Sequence, residues 1–250
     1  MKIRLGLTAL ALAAAAPLGA VAEEEKDTFI YATYFYCDTA TQEKADELVA
    51  KNTKPIYDAA VEDGTITGWG WLSHHTGGQW RRVQYHMSDS IGGLLESQET
   101  LMKRSEAAGV SNDGFAEICS AHDDYIWQME SGNGLTDKRG KVSLSVYQVC
   151  DIAKEERADE IVETVFAPVY NQAVSDGKIT SWGWSSHIVG GEYRRLATMS
   201  ADNWKQLLTA RGEILEAIYA DGENKEAAEF SSICDSHSDY LWEIVAEGRG

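Results

Sequence analysis

Ile66-Thr67-Gly68-Trp69-Gly70-Trp71-Leu72-Ser73-His74 returns 113 residues later as Ile179-Thr180-Ser181-Trp182-Gly183-Trp184-Ser185-Ser186-His187. The match extends in both directions. Upstream, Tyr57, Ala60, Val61, Asp63 and Gly64 meet Tyr170, Ala173, Val174, Asp176 and Gly177. Downstream, Gly77-Gly78 and Arg81-Arg82 meet Gly190-Gly191 and Arg194-Arg195. From Pro55 to Met87 against Pro168 to Ser200 there are 17 identities in 33 positions without a gap, too many for chance. Towards the end of each copy the offset becomes 115, where Cys119-x-x-His122-x-Asp124-Tyr125-x-Trp127 meets Cys234-x-x-His237-x-Asp239-Tyr240-x-Trp242. Solenoid units run about 20 to 50 residues, so this period reads as a whole small domain duplicated. The expected organisation is a first half over 23–130, a polar, glycine-rich linker over 131–140 and a second half over 141–250.

Each copy carries the same element pattern. Phe29–Cys37 and Val142–Cys150 are rich in aromatic and β-branched residues and predict strands. Thr41–Glu62 and Lys154–Ser175 predict helices stopped by Asp63-Gly64 and Asp176-Gly177, with a kink or break at Pro55 and Pro168. Two strands follow, joined by a tight turn at Gly77-Gly78 or Gly190-Gly191. Next come helices over Ile91–Glu106 and Asn203–Tyr219, then a helical turn leading into a fourth strand within Phe115–Trp127 and Phe230–Trp242. The order βαββα(β) is the ferredoxin-like split unit, an α+β fold with its helices on one face of an antiparallel sheet.

The start of the chain has another purpose. Lys2 and Arg4 precede an apolar run from Leu5 to Leu18, and Ala20-Val21-Ala22 precede Glu23-Glu24-Glu25, which is the pattern of a secretory signal peptide over 1–22. The run is short of the roughly 20 residues a membrane-spanning helix needs and contains Pro17. Removing Lys2 and Arg4 with the leader takes the formal charge from −18 to −20, which argues against nucleic acid or an anionic membrane surface as a partner. Export to a periplasmic or extracellular space makes the four cysteines a disulfide set.

Two such sheets, each covering the other's open face, resemble a fused form of the dimeric α/β-barrel (ferredoxin-like) superfamily, which includes monooxygenases and haem-binding or haem-degrading members. That resemblance is architectural and spans both halves. It implies a monomeric pseudo-dimer with pseudo-two-fold barrel symmetry, and it admits haem as one cofactor. In its topology the end of the first strand lies beside the start of the fourth, so bridges Cys37–Cys119 and Cys150–Cys234 are expected, each closing a loop worth about 4 to 5 kcal/mol.

A two-residue hairpin turn would set Thr76 opposite Gln79 and sort the strands into two faces. One carries Trp69, Trp71, Trp80, Arg82 and His86; the other carries Gly68, Gly70, Leu72, Val83, Tyr85 and Met87. The glycine face is expected to meet helices. The tryptophan face, with Trp182, Trp184 and Arg195 from the second copy, is then expected to line the space between the sheets and bind an apolar or aromatic ligand carrying an anionic group. The bland alternatives are core tryptophans and arginines held in structural ion pairs.

Candidate catalytic residues are His86, His122 and His237. His86 belongs to the first half alone, with Met199 in its place in the second, while His122-x-Asp124 and His237-x-Asp239 each suggest an imidazole oriented by a carboxylate, as a general base or an axial haem ligand. His74, which returns as His187, falls beside Arg81 near the turn and suggests an anion-binding rim there. Clustered metal-ligand spacing, a phosphate loop, a nucleophile elbow and a zinc-protease motif are all missing from the sequence, so no metal site is expected. Two functions remain: an exported small-molecule-binding protein or enzyme with its site between the sheets, or a non-catalytic, disulfide-stabilised envelope or surface protein.

Overall fold

The computed structural model describes residues 27–110, 113–133, 139–222 and 224–250. The expected signal peptide lies outside these. The first half of the chain forms β1 (Phe29–Cys37), α1 (Gln42–Leu48), α2 (Lys54–Glu62), β2 (Gly68–Gly77), β3 (Arg82–Ser88), α3 (Ile91–Ala107), α4 (Phe115–Ile118) and β4 (Cys119–Gly132). The second half forms β5 (Val142–Val149), α5 (Glu155–Ile161), α6 (Ala167–Ser175), β6 (Ser181–Val189), β7 (Arg195–Ala201), α7 (Trp204–Tyr219), α8 (Lys225–Ile233) and β8 (Ser236–Arg249). No helix among the described residues is long and apolar enough to cross a membrane.

The interruption expected at Pro55 and Pro168 takes the form of a π-helical turn between two α-helical segments. Each proline follows that five-residue turn, Val49–Thr53 or Val162–Phe166, and sits in the first turn of the next helix. A proline has no N–H to give the preceding turn, and widening that turn absorbs the loss. Ser90 and Asn203 cap α3 and α7 by accepting from the N–H of Gly93 and Gln206.

The eight strands close into an antiparallel barrel in the order β1-β3-β2-β8-β5-β7-β6-β4. Two seams join the halves: β2 pairs with β8 and β4 pairs with β6. The expected linker therefore begins inside a strand, because Ser131 and Gly132 pair with Trp184 and Gly183. Hairpin register is as the turn requires, with Trp69 opposite His86 and Trp182 opposite Met199. Bridges Cys37–Cys119 and Cys150–Cys234 both form.

Which face points inward is the reverse of the expectation. Gly68 and Gly70 do not receive helices; a Cβ on Gly70 would strike the Tyr85 ring, and one on Gly68 the end of Met87. The glycines make room in the lumen for long side chains from the neighbouring strand. That lumen is packed with rings from both halves. Tyr34 stacks on Trp80 at 4.3 Å, Tyr125 on Trp127 at 5.0 Å and Tyr240 on Trp242 at 5.1 Å, with Tyr147 edge-on to Tyr34 and Trp80. Trp80 also departs from the expected face: it lies ahead of β3 and turns in towards the lumen rings.

Candidate functional site

Trp69, Trp71, Trp182 and Trp184 point out of the barrel and into its helices. The reason is polar as well as apolar, since a buried indole needs an acceptor and the helices supply one each. Trp71 Nε1 donates to Asp46 at 2.7 Å and Trp69 Nε1 to Asp58 at 3.1 Å; Trp184 Nε1 donates to Asp159 and Trp182 Nε1 to Asn171, both at 2.8 Å. Asp46 serves twice. It also takes Nε and Nη2 of Arg82, each at 2.6 Å, and Asp159 takes the same two atoms of Arg195 at 2.7 and 2.6 Å. Further donations from Arg82 reach the Arg81 and Gln42 carbonyls, while Arg195 also pairs with Glu155. The expectation that these arginines face a ligand between the sheets is thereby corrected: both are buried and bound bidentately to helix carboxylates.

Space for a ligand lies instead between sheet and helices in the second half. A cavity of about 240 Å³ is walled by Phe166, Tyr170, Trp182, Trp184, Tyr219 and Phe230, with Leu144, Val146 and Met199 as its floor. Its polar edge is made by His237, Arg211 and Gln148. His237 Nδ1 lies 2.7 Å from Asp239 Oδ1, and Arg211 Nη2 lies 2.7 Å from Asp239 Oδ2. An ionised carboxylate only accepts, so Nδ1 is the donor in this bond and Nε2 is the ring nitrogen left to face a ligand. Gln148 adds a buried Oε1 with no protein partner.

The equivalent place in the first half carries different side chains. Tyr31 and His86 stand at the positions equivalent to Leu144 and Met199, and their rings stack 5.5 Å apart. Position 98, equivalent to Arg211, is Gln. His122 keeps the carboxylate, 3.1 Å from Asp124, at an exposed edge beside Phe35. His86 is buried against Tyr31 and Tyr57 with Nε2 unpartnered, and burial pushes its pKa down to about 4. His74 and His187 pair with Arg81 at 2.8 Å and Arg194 at 2.6 Å, and burial followed by the adjacent guanidinium lowers the pKa of each. Of the three candidate histidines, His237 lines the enclosed second-half cavity, whereas His122 lines a more open hollow of about 780 Å³ with Trp80, Tyr125 and Tyr193. Sequence reading missed Arg211, Phe166 and Tyr219, which lie in helices where nothing in the spacing distinguishes them from packing residues.

Haem, which the barrel resemblance admits, is tested by this cavity. An imidazole held by a carboxylate is the arrangement that orients a metal ligand. The room is insufficient: about 240 Å³ is below the roughly 300 to 1,000 Å³ of sites for drug-sized molecules, and a porphyrin is larger than most of those. This cavity, as it stands, does not fit haem.

No protein-family model and no curated protein sequence matches this chain. Solved structures match its fold. A candidate monooxygenase from Lactobacillus acidophilus NCFM superposes with a TM-score of 0.61 at 8% identity, over 89% of this chain and 96% of that one. An anthrone oxidase-like protein gives 0.56 at 12% identity, over 90% and 94% of the two chains. A mutant chlorite dismutase from Candidatus Nitrospira defluvii, in complex with cyanide, gives 0.51 at 9% identity, over 87% and 90%. Likeness at such identities concerns the fold alone, a mixed α+β arrangement around a closed eight-stranded antiparallel barrel.

Proposed function

We propose that this is an exported small-molecule-binding protein of periplasmic or extracellular location, built by tandem duplication, whose second half holds the ligand and whose first half is its structural counterpart. The observation that carries the reading is the cavity beside α7, apolar on its walls and edged by Arg211 and His237. A volume of about 240 Å³ corresponds to roughly eight waters' share of liquid, so the ligand class is a one-ring or compact two-ring aromatic. Arg211 suits an anionic substituent, and His237 Nε2 suits a hydroxyl donor. The names of the fold neighbours, an oxygenase, an oxidase and a dismutase, support small-molecule chemistry. The leader pattern and the two disulfides support export.

Calorimetric titration of the mature protein with salicylate and with indole-3-carboxylate tests this. Saturable binding is expected, weakened about tenfold in Arg211→Gln, the usual loss for one charge-assisted hydrogen bond. Absence of binding by both acids, together with a native mass equal to the bare chain, would overturn it. That result is what the second reading, a non-catalytic envelope or surface protein, predicts; the ring-packed lumen favours that reading.

A further inference from the structure

Strand register brings the polar groups of the cavity beside α7 together on one edge of an otherwise apolar room. Gln148 on β5 pairs with His237 on β8, and the next residues on that face are Val146 opposite Asp239 and Leu144 opposite Leu241. Directly opposed residues point to the same face with Cβ atoms about 4.5 to 5.5 Å apart, so Gln148 and His237 stand side by side, and both line the cavity. Arg211 reaches the same edge from α7. Asp239 takes His237 Nδ1 through Oδ1 and Arg211 Nη2 through Oδ2, each at 2.7 Å. The order along the edge is Arg211, His237, Gln148, each beside the next.

Gln148 is the member whose partner is missing. It is 9% exposed, and its Oε1 makes no hydrogen bond within the protein. A buried acceptor left unpaired costs stability, and native structures leave few of them. The fold does not require an amide at this place. In the first half the equivalent position is Phe35, an apolar ring packed against Trp71 and Phe115. Arg211 is likewise replaced there by Gln98, while the imidazole and its carboxylate recur as His122 and Asp124. The two side chains peculiar to the second half are therefore the ones that flank the repeated histidine.

We propose that the ligand of this cavity is an aromatic acid with hydroxyls on the next two ring carbons, a catechol acid of the 2,3-dihydroxybenzoate type, with its carboxylate on Arg211, its middle hydroxyl on His237 Nε2 and its outer hydroxyl donating to Gln148 Oε1. This rests on the reading of the cavity as a ligand site and adds Gln148 as the residue that sets its specificity. The three substituents share one edge of the ring as the three side chains share one edge of the cavity. The bare edge of the ring meets Leu144, Met199 and Trp182. A ring without the outer hydroxyl would shut the amide off from water and leave it unmet, which is how a buried polar group rejects an analogue.

Calorimetric titration of the mature protein in metal-free buffer compares 2,3-dihydroxybenzoate, salicylate, 3,5-dihydroxybenzoate and benzoate. The first is expected to bind about tenfold tighter than salicylate, and 3,5-dihydroxybenzoate no tighter than benzoate. In Gln148→Met, which keeps the length of the side chain and loses the amide, the advantage over salicylate is expected to vanish while salicylate binds as before. Equal affinity of wild type for 2,3-dihydroxybenzoate and salicylate, or for the two dihydroxybenzoates, overturns the proposal and leaves the ligand site standing. An advantage that survives in Gln148→Met does the same, and the wild-type comparison decides even if that variant does not fold. Binding of none of the four acids overturns the site itself, and this proposal with it.

Discussion

His86 occupies a place that Met199 fills in the second half, and the exchange of a thioether for an imidazole leaves a titratable group in an apolar interior. Burial lowers its pKa to about 4, with contact to the Leu94 backbone offsetting part of the effect. Above pH 6.5 the ring is neutral in both folded and unfolded chains and contributes nothing to pH dependence. Below 6.5 the unfolded chain takes up the proton first, so a penalty grows as pH falls and is complete below about 4, where it reaches about 3 kcal/mol. His86→Met should therefore match the wild type near pH 7.5 and become more stable than it between pH 6 and 4, by urea midpoints at each pH. Parallel stability profiles for the two proteins would refute this account. At the same scale, the sequence showed the repeated Trp-x-Trp and Arg-Arg but concealed their shared acceptor. Asp46 and Asp159 stand 36 positions from the arginines, among many surface acids of the helices. Their own separation of 113 was the available signal, and it concerns a side chain whose partner only the folded helix reveals.

Strands and helices were legible because their periods differ and their stops are marked by glycine and proline. The inward face was not, since a glycine-lined strand suits a close helix and a bulky cross-strand neighbour equally, and the choice depends on Tyr85 and Met87 one strand away. The bridges were legible once the element order was known. Both tie the end of one strand to the start of another, yet only Cys234 lines the second-half cavity. Loops of 82 and 84 residues give each bridge about 4 to 5 kcal/mol on the loop-entropy model. Replacing either pair by serine should therefore cost similar stability in urea. Cys150→Ser with Cys234→Ser should in addition weaken binding of the aromatic acids, because it frees the junction of α8 and β8 that carries Phe230 and His237. Cys37→Ser with Cys119→Ser should leave that binding unchanged. Equal effects of the two pairs on binding would remove the cavity from the second half.

Closure of the barrel makes the two halves one folding unit despite their separate sequence patterns. Were the chain divided, β2 and β8 would lose each other, as would β4 and β6, leaving four long strands with unpaired edges. The lumen would come apart as well, because its ring cluster joins Tyr34, Trp80 and Trp127 to Tyr147, Tyr240 and Trp242. A half chain thus retains its helix-covered core but exposes a sheet face made of aromatic residues, a surface that favours association over a soluble monomer. Fragments 23–133 and 139–250, produced separately, are expected to lack the dispersed spectrum of a folded monomer and to recover it on mixing. The intact chain should unfold in urea in one transition, with indole fluorescence and far-ultraviolet dichroism coincident. Two transitions, or a fragment folded as a monomer by sedimentation and nuclear magnetic resonance, would show instead that each half's helix-side core suffices. Indole signals from Trp71 and Trp184, which lie outside the lumen in opposite halves, would then report the two events separately.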